Sequence, residues 1–234
     1  MSSGSVPVIT LDGPSGSGKG TVGQLLAQRL RWHFLDSGAL YRAVALAADR
    51  AGCTPQDAGG LAQIARKLVV RFQAQGQAPV RVLVDGEDVS DAIREEKISR
   101  LASQVAVLPE VRQALLNKQH ALRQPPGLVA DGRDMGTVVF PEATLKIFVT
   151  ATPETRAERR HKQLKDKGLD VNLARLAEEI RARDARDAER GASPLKPADD
   201  AHVIDTSYLT VAQVVNRILD LLRERRLRQG RPDG

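Results

Sequence analysis

Short apolar runs along the chain alternate with longer segments whose apolar residues recur at helical spacing. Five of the runs read as buried parallel strands: Val8 to Leu11, Phe34 to Leu35, Leu128 to Ala130, Leu145 to Thr150, and Ala201 to Ile204. Helices are predicted to begin near Lys19, Ala39, Pro109, Pro153 and Thr210, the last with a capping-box-like Thr210-x-x-Gln213. This alternation predicts an α/β fold, a doubly wound five-stranded parallel sheet flanked by helices, with ligands at the carboxyl ends of the strands. The residues that can carry chemistry cluster there. Asp12-Gly13, Asp36-Ser37-Gly38 and Asp131-Gly132-Arg133-Asp134 all fall just past a strand end.

From about Leu61 to Val107 the alternation stops. Val69, Val70 and Phe72, then Val80, Val82 and Val84 at period two before Asp85-Gly86, predict an antiparallel patch with a hairpin. A helix carrying Ile98, Leu101 and Val105 follows. This segment reads as an inserted subdomain, the second wall of a cleft. Gln73 to Pro79 reads as a loop, and so does Gln124 to Gly127, because Pro125-Pro126-Gly127 cannot propagate a helix.

The first run leads directly into Gly13-Pro14-Ser15-Gly16-Ser17-Gly18-Lys19-Gly20-Thr21. Glycines at 13, 16 and 18 let the backbone turn tightly and aim successive N–H groups inward, and the helix beginning near Lys19 adds its positive dipole end. A polyphosphate fits such a cradle. Lys19 can reach the outer phosphates and a hydroxyl can ligate Mg²⁺, so the motif reads as a nucleoside-triphosphate site for ATP rather than a generic turn. Val22, Leu25, Leu26 and Leu30 supply the amphipathic helix that this context requires. The residue after Lys19 is Gly20, so the metal-side hydroxyl falls to Thr21.

Composition agrees with a small enzyme. A chain of 234 residues can bury a core in one α/β domain plus a subdomain. The single cysteine, Cys53, excludes an intrachain disulfide and a cysteine-rich metal cluster, and a reducing cytoplasm is the natural setting. Met1 to Pro7 is short and polar without a basic leader region, and no run approaches the apolar length of a membrane span. The expected state is a soluble monomer.

The net charge of +6 raises the question of nucleic acid. The tail from Arg223 to Gly234 supplies half of that excess and reads as a frayed helix end. Between Glu154 and Arg190, eleven basic residues are interleaved with nine acidic ones, which is not a uniform basic stripe. Aromatics make up only 3% of the chain, so stacking platforms are scarce and small phosphate ligands are favoured over nucleic acid. His33, His120, His161 and His202 are scattered without metal-ligand spacing and read as structural.

Within the interleaved segment, Arg183, Asp187 and Arg190 fall at i, i+4 and i+7 and share one helical face. Taken alone, they would be solvated Asp–Arg pairs. Beside a phosphate cradle they take on a second reading, since a transferring phosphoryl group needs its charge neutralised and forked guanidiniums do this well. Arg156, Arg159 and Arg160 lie on the preceding helix, across a turn at Gly168.

The Gly-Lys-Gly-Thr spelling of the cradle resembles nucleoside monophosphate kinases more than GTPases. With Leu35-Asp-Ser-Gly-Ala-Leu-Tyr-Arg42, Asp131-Gly-Arg-Asp-Met-Gly-Thr-Val-Val-Phe140 and Arg183-Asp-Ala-Arg-Asp187, the chain resembles the bacterial-type cytidylate kinases from about Pro7 to Leu222. The resemblance implies a single P-loop kinase domain over 7–222. Its core is 7–60, 108–153 and 191–222, its monophosphate-binding insert about 61–107, its lid about 154–190, and its termini 1–6 and 223–234 flexible. It also implies transfer of a phosphoryl group from ATP to CMP or dCMP.

Carried over by residue, the resemblance implies that Arg42 and Arg133 grip the acceptor phosphate with Arg190 assisting. Ser103, Arg112 and Asp134 would read the cytosine edge, and Ser37, Arg183 and Asp187 would hold the ribose. Lys19 and lid arginines such as Arg159 would neutralise the transferred group. Asp131 reads equally as a metal or arginine partner or as a helix cap. Two other readings stay open: a P-loop kinase for UMP, GMP or a small metabolite, and a nucleotide-gated binding module. The latter is disfavoured because Asn117-Lys118-Gln119-His120 ends in histidine where a guanine-reading motif needs aspartate.

Overall fold

The computed structural model describes residues 6–75, 78–166, 168, 171–188 and 195–229. In chain order the elements are β1 (Val8–Asp12), α1 (Lys19–Leu30), β2 (His33–Asp36), α2 (Ser37–Arg50), α3 (Ala58–Lys67), β3 (Val70–Gln75), β4 (Ala78–Val84) and β5 (Glu87–Asp88). They continue with α4 (Glu96–Val105), α5 (Pro109–Ala121), β6 (Leu128–Gly132), β7 (Leu145–Thr150), α6 (Pro153–Lys165), α7 (Leu173–Ala188), β8 (His202–Asp205) and α8 (Val211–Gln229). A single π-helical turn, Met135–Val139, follows β6.

Five strands form one parallel sheet in the order β2-β6-β1-β7-β8, so the chain winds outward from β1 in both directions. The central strand is buried at every residue, which is why it reads as an unbroken apolar run rather than an alternating one. Ile9 and Leu11 face one helical layer, packing with Val22 and Leu26 of α1 and Ile218 and Leu222 of α8. Val8 belongs to the other layer, with Leu35, Ala130 and the apolar faces of α2 through α5. Gly23 lets α1 approach the sheet, since a β-carbon there would lie 2.9 Å from the Phe34 ring.

Caps at the carboxyl edge set where helices begin. Asp36 ends β2 and accepts the Ala39 N–H at 2.8 Å, starting α2 immediately beside the cleft. Thr152 caps α6 ahead of Pro153, and the Thr210–Gln213 box is reciprocal, with bonds of 2.8 and 3.3 Å.

The small sheet β3-β4-β5 is antiparallel, and Asp85-Gly86 turns the β4–β5 hairpin with φ of 50° and 90°. Here the structure corrects one expectation. Gln73–Gln75 and Ala78–Pro79 are strand, not loop: Gln73 pairs with Arg81 and Gln75 with Ala78 across a register shift. Backbone pairing carries this ribbon where no apolar period marks it. A second difference is α3, whose Gly59-Gly60 start is a poor helix former. Asp57 rescues it by accepting the Gly60 N–H at 2.8 Å, and Leu61, Ala62 and Ala65 are buried. The basic tail is helical as far as Gln229, the end of α8. Among the described residues no helix is long and apolar enough to cross a membrane.

Candidate active site

The cradle between β1 and α1 has the conformation its glycines allow. Gly13, Gly16 and Gly18 have φ of 147°, 79° and 87°. At Gly13 a β-carbon would fall 2.0 Å from the Val149 carbonyl oxygen, so no other residue fits against β7. Gly18, in the left-handed region, caps α1 without a side chain and leaves the helix N-terminus facing the loop.

Lys19, at the first position of α1, is buried, its Nζ 3.3 Å from the Pro14 carbonyl and 3.8 Å from the Asp131 carboxylate. Burial holds the ammonium below the usual lysine range; Arg133 and Arg183 push the same way, while Asp131 and Asp36 oppose them. Burial likewise raises the Asp131 carboxyl, with Lys19 opposing. Asp131 is therefore the partner of Lys19 at the end of β6 and caps no helix. Lys19 thus stands in a buried setting where its own partner is Asp131 and where Arg133 and Arg183 are near enough to disfavour its charge, an arrangement suited to an entering phosphate.

Gly20 has a physical reason. A β-carbon there would lie 3.3 Å from the Asp131 carboxylate, so a hydroxyl side chain at this position would press on the Lys19 partner. Thr21, the next hydroxyl, is exposed on the first turn of α1. Among the described residues, no group of three or more His, Cys, Asp or Glu side chains could hold a metal ion. One exposed hydroxyl is a hard oxygen donor, which suffices for Mg²⁺ when phosphates and water supply the remaining ligands.

The opposite wall is built from the ends of β2 and β6. Arg42, on α2, donates to Asp36 at 3.2 Å, and Ser37 is buried beside Gly132, with its Oγ 2.7 Å from where a β-carbon of residue 132 would stand. Arg133 donates to Asp187 of α7 at 3.1 Å. Asp134, buried, pairs with Arg112 of α5, whose other nitrogen donates to the Ala106 carbonyl at 3.3 Å, just past α4. Ser103 lies on α4, its hydroxyl donating to the Ser99 carbonyl at 3.1 Å. Arg112 thus links the end of α4 to the end of β6. Arg190 lies outside the described residues.

Helices α6 and α7 are tied to the cradle by Arg156, which the sequence grouped with Arg159 and Arg160 and whose role here is structural. Arg156 is 3% exposed, and its guanidinium donates to the carbonyls of Ala151 (3.0 Å) and Ser15 (3.2 Å) and, through both terminal nitrogens, to Asp184 of α7. On a strongly charged helix, an arginine that will be buried carries no sequence mark. Arg159 also lies against the cradle, with its donors on the Thr206 carbonyl (2.6 Å) and hydroxyl (3.1 Å) and on the Ser17 carbonyl (3.4 Å). Thr206, after β8, also donates to the Ser17 carbonyl at 2.9 Å, so β8 braces the loop.

With this geometry established, comparison with known proteins is specific. The family model described as "Cytidylate kinase" matches residues 9–224. The chain is 56% identical over 218 residues to a cytidylate kinase of Nitrosococcus oceani, covering 93% of this chain and 96% of that one. It is 57% identical over 224 residues to one from Stutzerimonas stutzeri, covering 95% and 97%. A solved structure of an uncharacterized protein from Eubacterium ventriosum superposes with a TM-score of 0.50 at 10% identity, covering 94% of this chain and 99% of that one, a likeness of fold alone.

Proposed function

The chain belongs to the cytidylate kinase family and phosphorylates CMP and dCMP with ATP as donor, and we propose that the transfer runs in line between the glycine cradle and the wall formed by Arg42, Arg133 and α7. The observation that supports this reading is the buried Lys19 ammonium at the start of α1, 3.8 Å from the Asp131 carboxylate, with Arg133 and Arg183 near enough to hold it below the usual lysine range.

In this reading the main-chain N–H groups of residues 13–20 hold the donor phosphates and Lys19 reaches the outer ones. Arg42 and Arg133 take the acceptor phosphate. Asp134 and Arg112 read the cytosine edge with Ser103, since a carboxylate accepts from the exocyclic amine and a guanidinium donates to ring acceptors. Ser37, Arg183 and Asp187 hold the ribose, Asp187 accepting from a sugar hydroxyl. No protein nucleophile is required, and positioning with charge neutralisation by Lys19, Arg133, Arg159 and Arg190 supplies the rate. Thr21 would hold Mg²⁺, which when bound draws charge from the phosphate oxygens. The lid α6–α7 excludes water, which would otherwise accept the phosphoryl group. A monomer in a reducing cytoplasm fits the lone cysteine.

The test is a coupled assay with ATP, Mg²⁺ and each common nucleoside monophosphate in turn. The expected result is turnover with CMP and dCMP well above UMP and GMP. Equal turnover with a purine acceptor would defeat the assignment of Asp134 and Arg112 to a cytosine edge.

A further inference from the structure

Asp12 is the last residue of β1, one position before the cradle, and is 5% exposed. Its two carboxylate oxygens are both used on the segment after β6: Oδ1 accepts the Met135 N–H at 2.8 Å and Oδ2 accepts the Gly136 N–H at 2.7 Å. Those N–H groups open the π-helical turn, whose Val138 and Val139 N–H groups return to the Asp134 carbonyl at 2.9 and 3.1 Å. The main chain of Asp134 is thus fixed from its C-terminal side by a turn that Asp12 holds. The packing leaves no slack, since a β-carbon on Gly136 would lie 2.8 Å from Thr10 Oγ1 and 3.3 Å from Asp12 Oδ2.

We infer that Asp12 is a positioning residue that sets Arg133 and Asp134, the acceptor-reading pair, at a fixed place relative to the donor cradle one residue away. The inference rests on the assignment of Arg133 and Asp134 proposed above. Keeping this carboxylate buried is costly, because burial pushes its carboxyl up to about 7 even though the two N–H groups favour the charged form, and Asp134 and Asp131 add like charge. An apolar residue would fit a buried strand end at less cost but could not accept both N–H groups. The same side chain therefore couples the two substrates: the strand that carries the donor loop also grips the turn that orients the base reader.

The experiment measures KM for CMP, KM for ATP and kcat in Asp12→Asn, Asp12→Ala and Gly136→Ala, beside Asp134→Ala as reference. Asparagine keeps one acceptor oxygen and turns an amide N–H toward the other donor. Losing one charge-assisted bond should raise the CMP KM about tenfold, with Asp12→Ala worse still. The ATP KM should stay within about threefold, because the cradle glycines are untouched. The CMP-over-UMP ratio of kcat/KM should fall in the same direction as for Asp134→Ala. If the Asp12 variants fail to fold, Gly136→Ala decides, since it crowds the same contact with the carboxylate in place. A CMP KM within twofold of the wild type in every folded variant, or equal rises for both substrates, would overturn the inference. A normal CMP KM in Asp134→Ala would instead sink the acceptor assignment on which it rests.

Discussion

Arg133 and Asp187 stand 54 positions apart in the chain, and the guanidinium Nε of the first donates to the carboxylate of the second at 3.1 Å, with the Asp187 side chain 2% exposed. One belongs to the loop after β6 and the other to α7, so the contact joins the carboxyl end of the parallel sheet to α7. Asp187→Asn keeps the shape and loses the charge. Its kcat/KM for CMP should fall by at least tenfold, about 1.4 kcal/mol of transition-state stabilisation, with most of the loss in KM. Steady-state kinetics with CMP and dCMP check this.

Lys19 and Asp131 form a buried pair at 3.8 Å, so the two contribute unequally to activity and stability. Lys19→Met should abolish turnover by about a thousandfold or more, since outer-phosphate neutralisation is lost. It should also lower the unfolding midpoint while the fold persists, because Asp131 is left buried without its partner. Adding Asp131→Asn should restore much of the midpoint and none of the turnover. Thermal unfolding and the coupled assay, run on both variants, separate the two effects.

Arg156 uses its fork on two carbonyls and on Asp184, all from a buried position. Arg156→Ala leaves two carbonyls unpaired and opens a gap beside the partly exposed Asp184, and should cost about 1–3 kcal/mol in denaturant unfolding. Arg156→Lys should rescue little of that loss, since a point charge cannot reach Ala151, Ser15 and Asp184 together.

Asp12 gives the stability a pH dependence of definite sign. Its carboxyl is raised in the fold to about 7 from an ordinary 3.8, with burial as the main cause. Between those values the folded chain holds a proton that the unfolded chain has released, so this group's contribution to stability falls as pH rises from about 4 to about 7. The raised Asp131 acts in the same direction. The unfolding free energy of Asp12→Asn should therefore vary less between pH 5 and pH 7.5 than that of the wild type, whatever its absolute value. Urea titrations at the two pH values measure the difference, and an unchanged slope would show that Asp12 is charged throughout.

How much was legible in the sequence follows from the range of each interaction. β1, the cradle and α1 could be read because glycine spacing, an apolar run and a helical period sit within 23 consecutive residues, and all three signals are local. The cap at Thr210 is equally local. The ribbon over Gln73–Gln75 and Ala78–Pro79 was hidden because backbone pairing holds polar and small residues without a period. Arg156 was named with Arg159 and Arg160 but its bracing role was hidden, because only the fold brings Ser15 and Asp184 around that guanidinium. The pairing of Arg112 with Asp134 joins α5 to the end of β6, and no spacing rule connects positions 22 apart on different elements. That pair was reachable only through a family resemblance.

The most direct test of cytosine reading opposite the cradle is the ratio of kcat/KM for CMP to that for UMP in the wild type and in Asp134→Ala. The predicted result is a marked preference for CMP in the wild type that falls by at least about tenfold in the variant, with the ATP KM little changed. A CMP-to-UMP ratio that survives intact without the Asp134 carboxylate would contradict the account.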